Sequence, residues 1–229
     1  MTDLVAYHLE DGIATLTLNN GKVNAMSPDL IAAFNAALDQ AEQDRAVVIV
    51  TGQPGILSGG YDLKVMTSGP ENAIALVTQG SKLTRRMLAH PFPLIVACPG
   101  HAIAKGAFLL LAADYRIGVE GPFSICLNEV QIGITMHNVG LALAGDRLRK
   151  SAFHRSVINA EAFDPQGAVD AGFLDKVVPA DRLQATALAT AQQLKKLNMT
   201  AHRNTKLKLR KALLETLDQA IETDSRNGL

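Results

Sequence analysis

Tryptophan is absent from this 229-residue chain, and tyrosine occurs three times. So few polar-edged rings give little platform for stacking nucleobases. Lys plus Arg equals Asp plus Glu, 22 of each, so no net field draws a polyanion, and nucleic acid is not an expected partner. Cysteine is nearly missing as well. Cys98 and Cys126 both sit in apolar runs, which reads as two reduced packing thiols and not as a disulfide framework or a zinc site. The six histidines contain no H-E-x-x-H spacing, and no metal is expected. Long apolar runs are lacking too. Ala107 to Ala113 is far too short to span a bilayer, and the opening MTDLVAYHLEDG carries an acid early without the apolar core of a secretory leader. Neither Walker A, nor G-x-G-x-x-G, nor the nucleophile elbow G-x-S-x-G occurs. What remains is a cytoplasmic enzyme or binding protein with no membrane partner.

Strand and helix signals are present in alternation. Residues 4–8 and 13–19 flank the turn-forming Glu10-Asp11-Gly12 and predict a β-hairpin. Ser27-Pro28-Asp29 offers an N-cap, a proline at the first helical position and an acid in the first turn. Leu30, Phe34, Leu38 and Ala41 follow at helical spacing, so the helix is predicted over 28–43. Ala46 to Thr51, Pro93 to Ala97 and Tyr115 to Val119 read as buried strands. Residues 71–89 read as a helix, and 103–113 as a helix apolar on most faces and therefore inside the core. Past Val139 the pattern becomes helical, over 139–156, 160–170, 181–197 and 201–223, with Leu174 to Val178 alone strand-like. The fold class is therefore α/β, with a helical last third.

Three loops could carry chemistry. Gly52 to Gly60 and Pro99 to Gly106 are rich in small residues, and the second runs straight into the apolar helix. Such loops let backbone N–H groups approach a ligand, and two of them could converge on one oxygen. Tight chain reversal is the simpler reading of the same glycines. The third loop lies in SICLNEVQIGI, residues 124 to 134, where one acid, Glu129, stands among apolar neighbours. It either faces solvent at a strand end or is a buried base tuned by desolvation. His137 beside Asn138 could line a pocket, though a packing or surface role is the more ordinary reading. The segment 195–211 carries Lys195, Lys196, Arg203, Lys206, Lys208, Arg210 and Lys211 without an acid, a solvated helix face or a phosphate landing site.

Four stretches taken in order carry a resemblance. Lys22-Val23-Asn24-Ala25-Met26-Ser27, Leu57-Ser58-Gly59-Gly60-Tyr61-Asp62-Leu63, Ala97-Cys98-Pro99-Gly100-His101-Ala102 with Ala113-Asp114-Tyr115-Arg116-Ile117, and Asn159 to Ala162 with Gly172 to Pro179 resemble the crotonase (enoyl-CoA hydratase/isomerase) family in order and spacing. The resemblance covers almost the whole chain. It implies a crotonase-like spiral of ββα turns over 1–178, holding an acyl-CoA site. A helical C-terminal region over 179–229 would serve trimerisation and cover the coenzyme A. It further implies homo-trimers or hexamers, and an acyl-CoA thioester whose coenzyme A belongs to the substrate, with no separate cofactor.

The resemblance also assigns residues. The backbone N–H of Gly59 matches the first oxyanion donor. Lys105 stands at the second, where the family mostly has the middle of a Gly-Gly-Gly run and this chain reads Ala104-Lys105-Gly106. Lys22, Asn24 and Ala25, with Gly60, Tyr61, Asp62 and Leu63, match segments that line the substrate and coenzyme A channel, and the basic segment 195–211 becomes a candidate contact for its phosphates. Hydratases of the family carry two glutamates. Here the first position is Phe108, in the substrate site, and the second is Glu129. Hydration needs two acid/base groups, whereas a shift of a double bond from 3,4 to 2,3 needs one. The stretch around Glu129 looks more like the mitochondrial-type Δ3,Δ2-enoyl-CoA isomerases. The expectation is therefore an isomerase with Glu129 as sole acid/base and Gly59 and Lys105 as oxyanion donors. The alternatives are another acyl-CoA reaction (hydration, hydrolysis, decarboxylation) or a non-catalytic acyl-CoA-binding protein.

Overall fold

The computed structural model describes residues 3–227. The opening hairpin forms as β1 (Val5–Glu10) and β2 (Ile13–Leu18), antiparallel, with Asp11 and Gly12 both at positive φ in the turn. Helix α1 (Pro28–Gln43) begins where its signals stand: Ser27 Oγ accepts from Leu30 N at 3.1 Å with Pro28 behind it, a cap typically worth about 1 kcal/mol. Then come β3 (Val47–Thr51), β4 (Gly55–Ser58), the single turn α2 (Leu63–Met66) and α3 (Pro70–Ala89). The pattern repeats as β5 (Leu94–Cys98), β6 (Gly100–Ile103) and α4 (Lys105–Leu111). It repeats again as β7 (Tyr115–Val119), β8 (Ile125–Cys126) and α5 (Asn138–Arg147). The remaining elements are α6 (Lys150–Ile158), α7 (Pro165–Ala171), β9 (Lys176–Val178), α8 (Leu183–Leu194) and α9 (Met199–Asn227).

Successive ββα turns build two sheets. The larger has the order β1-β2-β3-β5-β7-β9, parallel from β2 onward, and the smaller has the order β4-β6-β8. Period-two alternation divides the larger sheet between two cores. Val48, Val50, Leu94 and Val96 face the cluster that includes α1, α3 and α4, while Val47, Ile49, Ile95 and Ile117 face α8. Helix α4 is buried along its whole length, as its composition predicts. Its last carbonyls are satisfied by Arg147, which donates to Leu111 O at 3.0 Å and Ala113 O at 2.8 Å.

The smaller sheet is the main departure from the sequence reading. The three candidate loops each contain a strand of two to four residues, so the two rich in small residues are not plain turns. Their glycines are there for close backbone packing: a Cβ on Gly100 would lie 2.0 Å from Gly55 O, and one on Gly106 2.2 Å from Ser58 O. Two helices are also divided or shortened. The stretch 139–156 breaks at Leu148, whose extended backbone lets Arg149 N donate to Ala171 O at 3.0 Å. The stretch 160–170 starts late, because Phe163 pairs with Ile125 and Asp164 becomes the cap of α7. No helix among the described residues is long and apolar enough to cross a membrane.

Candidate active site

The smaller sheet brings the three loops together. At the end of β4, Gly60 (φ 105°) is pressed against the turn that opens α4: a Cβ built on it would lie 3.2 Å from Ala104 Cβ and 3.8 Å from Lys105 N. Ala104 itself takes φ 49°, ψ −115°, a conformation glycine adopts more readily than any L residue. Its N–H donates to Cys126 O at 2.9 Å, tying this turn to β8 and so to the loop that follows.

Most backbone donors in the converging segments are committed. Gly59 N donates to Val23 O at 2.8 Å, Gly60 N to Ser58 Oγ at 3.2 Å and Asp62 N to Met26 O at 3.2 Å. Gly59, expected as the first oxyanion donor, is thus already paired within the protein, and that expectation is corrected. Of the donors at this convergence, Tyr61 N and the α4-opening Lys105 N, with Gly106 N behind it, make no hydrogen bond to another described residue. Tyr61 N is free because its flanking neighbours take both bonds of the bridge to Met26. Lys105 N is free because it is the first residue of a helix. Two unpaired donors on adjoining segments, one at a helix N-terminus, suit a small anionic oxygen.

Glu129 closes the third side. It is 8% exposed, it precedes a single helical turn over Val130–Ile132, and its carbonyl accepts from Ile134 N at 2.9 Å. Its side chain is not in an ion pair, and among the described residues Oε2 is the one buried carboxylate oxygen without a hydrogen-bond partner. Burial pushes its pKa from 4.5 up to about 7, opposed in part by a hydrogen bond from its own backbone. The field of Glu129 reaches Tyr61 and Cys126: each is raised first by burial and then by that carboxylate, Cys126 to about 11. Of the two readings of Glu129, the buried one is the one observed.

Lys105 and Tyr61 extend their side chains to the same turn of α3. Lys105 is 2% exposed, and its Nζ donates to Gly80 O at 2.5 Å and to Thr84 Oγ1 while lying 5.9 Å from the centre of the Tyr61 ring. The Tyr61 hydroxyl fills the place a side chain on Gly80 would take, 2.2 Å from an ideal Cβ there. Among the described residues no acid pairs with Lys105, and burial brings its pKa down to about 7. Phe108 is buried one turn further along α4, and its ring packs edge-on against His137 at 5.5 Å. His137 is held neutral, its pKa lowered by burial to about 4 against the pull of Asp224. Asp224, on α9, caps α5: it accepts from Asn138 N at 3.0 Å, Asn138 Nδ2 at 2.6 Å and Val139 N at 3.1 Å.

The remaining expected site residues divide. Asn24 is wholly buried at φ 47°, and its side chain is spent internally, donating to Leu18 O and Leu57 O at 3.2 Å each and accepting from Asn20 N at 2.8 Å. It holds its segment against β4 and has no group left for a ligand. Ala25 O accepts from Asn20 Nδ2 at 2.6 Å, and Asp62 caps α2 by accepting from Lys64 N at 2.8 Å. Lys22 and Leu63 are exposed beside them. In the basic segment, Lys206 and Arg210 are not available to a phosphate. Both are buried on Asp114, at 2.5 and 2.9 Å, and donate to the carbonyls of His90, Phe92 and Leu88 at the end of α3. Lys195 is held by Asp11 at 2.8 Å. Residues Thr84, Gly80 and Asp224 were not singled out by the sequence; they lie in helices far along the chain, and no local motif marks them.

A family model described as enoyl-CoA hydratase/isomerase matches residues 8–228. A crystal structure of an enoyl-CoA hydratase/isomerase family protein from Pseudomonas syringae is 77% identical, covers 99% of each chain and superposes with a TM-score of 0.98. An enoyl-CoA isomerase from Mycobacterium tuberculosis is 37% identical over 97% of this chain and 98% of its own, with a TM-score of 0.93. Human mitochondrial enoyl-CoA delta isomerase 1 is 29% identical over 225 residues, 94% of this chain and 73% of the human protein. Hydratase descriptions stand beside isomerase ones among the relatives, so likeness alone does not separate the two reactions.

Proposed function

The chain belongs to the enoyl-CoA hydratase/isomerase family, and from that premise we propose that it shifts the double bond of a 3-enoyl-CoA thioester to the 2,3 position. The thioester oxygen sits between the N–H groups of Tyr61 and Lys105. Glu129 Oε2 removes a proton from the carbon next to the carbonyl, which becomes acidic as the enolate charge moves onto that oxygen. The same carboxyl then returns the proton to the fourth carbon of the acyl chain. Each oxyanion donor of this kind is worth about two to three orders of magnitude in rate.

One observation carries the reading: a single buried carboxylate with Oε2 unpartnered adjoins the converging donors, while Phe108, the position at which the family resemblance expects a second acid, packs its ring on a neutral His137. With no second acid to position and activate water, one carboxyl serving two carbons is the reaction the site supports best. Val23, Leu63, Val130 and Ile132 are exposed apolar side chains on the segments around it, suited to the thioester arm. The reading includes assembly as homo-trimers or pairs of trimers, measurable by light scattering.

The test is turnover of 3-enoyl-, 2-enoyl- and 3-hydroxyacyl-CoA with product analysis, for the parent, Glu129→Gln and Phe108→Glu. The parent is expected to produce 2-enoyl-CoA, Glu129→Gln to lose at least a hundredfold in kcat, and Phe108→Glu to gain hydration. A Glu129→Gln enzyme isomerising near the parent rate overturns the mechanism, and efficient hydration by the parent overturns the choice of reaction.

A further inference from the structure

The two residues that offer the free N–H groups also share an anchor. Tyr61 and Lys105 come from different loops, yet the hydroxyl of one and the ammonium of the other end on the same turn of α3. Gly80 makes this possible twice over: its missing side chain leaves room for Tyr61 Oη, and its carbonyl accepts from Lys105 Nζ. Thr84 Oγ1 donates to Gly80 O at 3.1 Å and accepts from the same Nζ, so three groups close one buried hydrogen-bonded ring. A lysine in the middle of a run of small residues, at a turn forced into φ 49° by Ala104, is costly to bury. A side chain so placed, with each of its acceptors neutral, keeps its positive charge unspent.

Resting on the enolate reading above, we propose that Lys105 is a positioning residue whose ammonium, clamped on Gly80 and Thr84, fixes the oxyanion hole against α3 and adds a full positive charge behind it. The hole then stabilises an enolate by two dipoles and one cation instead of two dipoles alone. The covalent length of the side chain keeps Nζ within about 7.5 Å of the Lys105 backbone nitrogen. At about 8 Å and an effective dielectric of about 20, a unit charge alters a rate by roughly 30-fold. Burial makes this charge titrate near pH 7. The other ionisable groups around the clamp are Tyr61, which stays protonated, Glu129 on the third loop and His137 at the start of α5, which stays neutral. Lys82, Arg85 and Arg86 also lie on α3. The last two are engaged elsewhere, with Asp218 and with Asp39 and Glu42.

The test compares the parent with Lys105→Met and Thr84→Val. Hexanoyl-CoA labelled with carbon-13 at the thioester carbonyl has no double bond to move, so its bound carbonyl stretch reports the polarising power of the hole independently of turnover. In the parent the stretch is expected to fall on binding at pH 6 and to recover part of the way by pH 8.5, as Lys105 loses its proton. Lys105→Met should show a smaller fall and lose the part of the recovery that Lys105 supplies, with kcat about 30-fold lower and KM changed less than about threefold. Thr84→Val keeps the ammonium but removes one acceptor, so the transition should move to lower pH. Whatever Glu129 contributes is common to all three proteins. A Lys105→Met protein with the parent's carbonyl shift and pH response overturns the proposal while leaving the isomerase reading intact. A Thr84→Val transition at the parent's pH also counts against the clamp. Absence of any carbonyl shift in the parent overturns the hole itself, and both readings with it.

Discussion

Replacing Glu129 with glutamine should make the protein worse at catalysis and better at staying folded, and the second effect has a defined pH dependence. In the folded chain the carboxyl is 8% exposed with Oε2 unpartnered, and its pKa rises from 4.5 to about 7. A group whose folded pKa is raised binds its proton more tightly in the native state, so stability declines as pH rises from about 4.5 to 7 and is flat above. At 1.36 kcal/mol per unit, the penalty above pH 7 is about 3 kcal/mol, and at pH 5 it is under about 1 kcal/mol. Glutamine has the same shape and no charge, so Glu129→Gln removes this penalty. Denaturant unfolding of both proteins at pH 5 and pH 8 measures it, and all other titrations cancel between them. The variant should be more stable by about 3 kcal/mol at pH 8 and nearly equal at pH 5. A difference that is the same at both pH values, or a variant less stable at pH 8, would refute the burial argument. In Lys105→Met, which lacks the second group titrating near 7, kcat should in turn fall as pH drops through about 7, as Glu129 takes up its proton; in the parent, loss of the Lys105 proton adds a decline on the alkaline side.

Four other outcomes follow from the geometry. Ala104→Gly relieves φ 49° and should add about 1 kcal/mol of stability in chemical denaturation. Gly80→Ala places a Cβ 2.2 Å from the Tyr61 hydroxyl, and should lower kcat by displacing Tyr61 while circular dichroism still reports a folded protein. Asp224→Ala uncaps α5, leaving Asn138 N and Val139 N unpaired, and should cost about 1–2 kcal/mol in urea unfolding. Lys206→Met strands the carbonyls of His90 and Phe92 and should cost about 2 kcal/mol in urea unfolding, while leaving KM for the thioester unchanged; a raised KM would restore a phosphate role to this lysine.

Elements with strong local signals were legible in the sequence. Ser27-Pro28-Asp29 states the start of α1 because capping is a property of three adjacent residues. The β-branched run of β3 likewise names a strand that is buried on both faces. The strands β4, β6 and β8 were not legible, since segments of two to four residues are too short to carry a periodicity, and their pairing is made only across the fold. The apolar neighbours of Glu129 raised the buried reading but left a solvent-facing one open, and its 8% exposure decides between them. The choice between Gly59 and Tyr61 as a donor could not. It depends on where Val23 O lies, a contact across more than thirty residues. The same holds for Lys206 and Arg210: a run of cations looks solvated until Asp114 is found beneath it.

The shared anchor at Gly80 has an evolutionary consequence. Two pairs of positions meet there, 61 with 80 and 105 with 84, and within each pair the order of change is constrained. A side chain at 80 must be lost before a tyrosine at 61 can reach α3, and lysine at 105 is tolerable only once a carbonyl and a hydroxyl stand ready for it. Across descendants of a common ancestor, these residues should therefore appear and vanish in those pairs. A chain that carries lysine at 105 opposite a residue at 84 with no hydroxyl would mark a lineage that solved the burial of that charge by a different route.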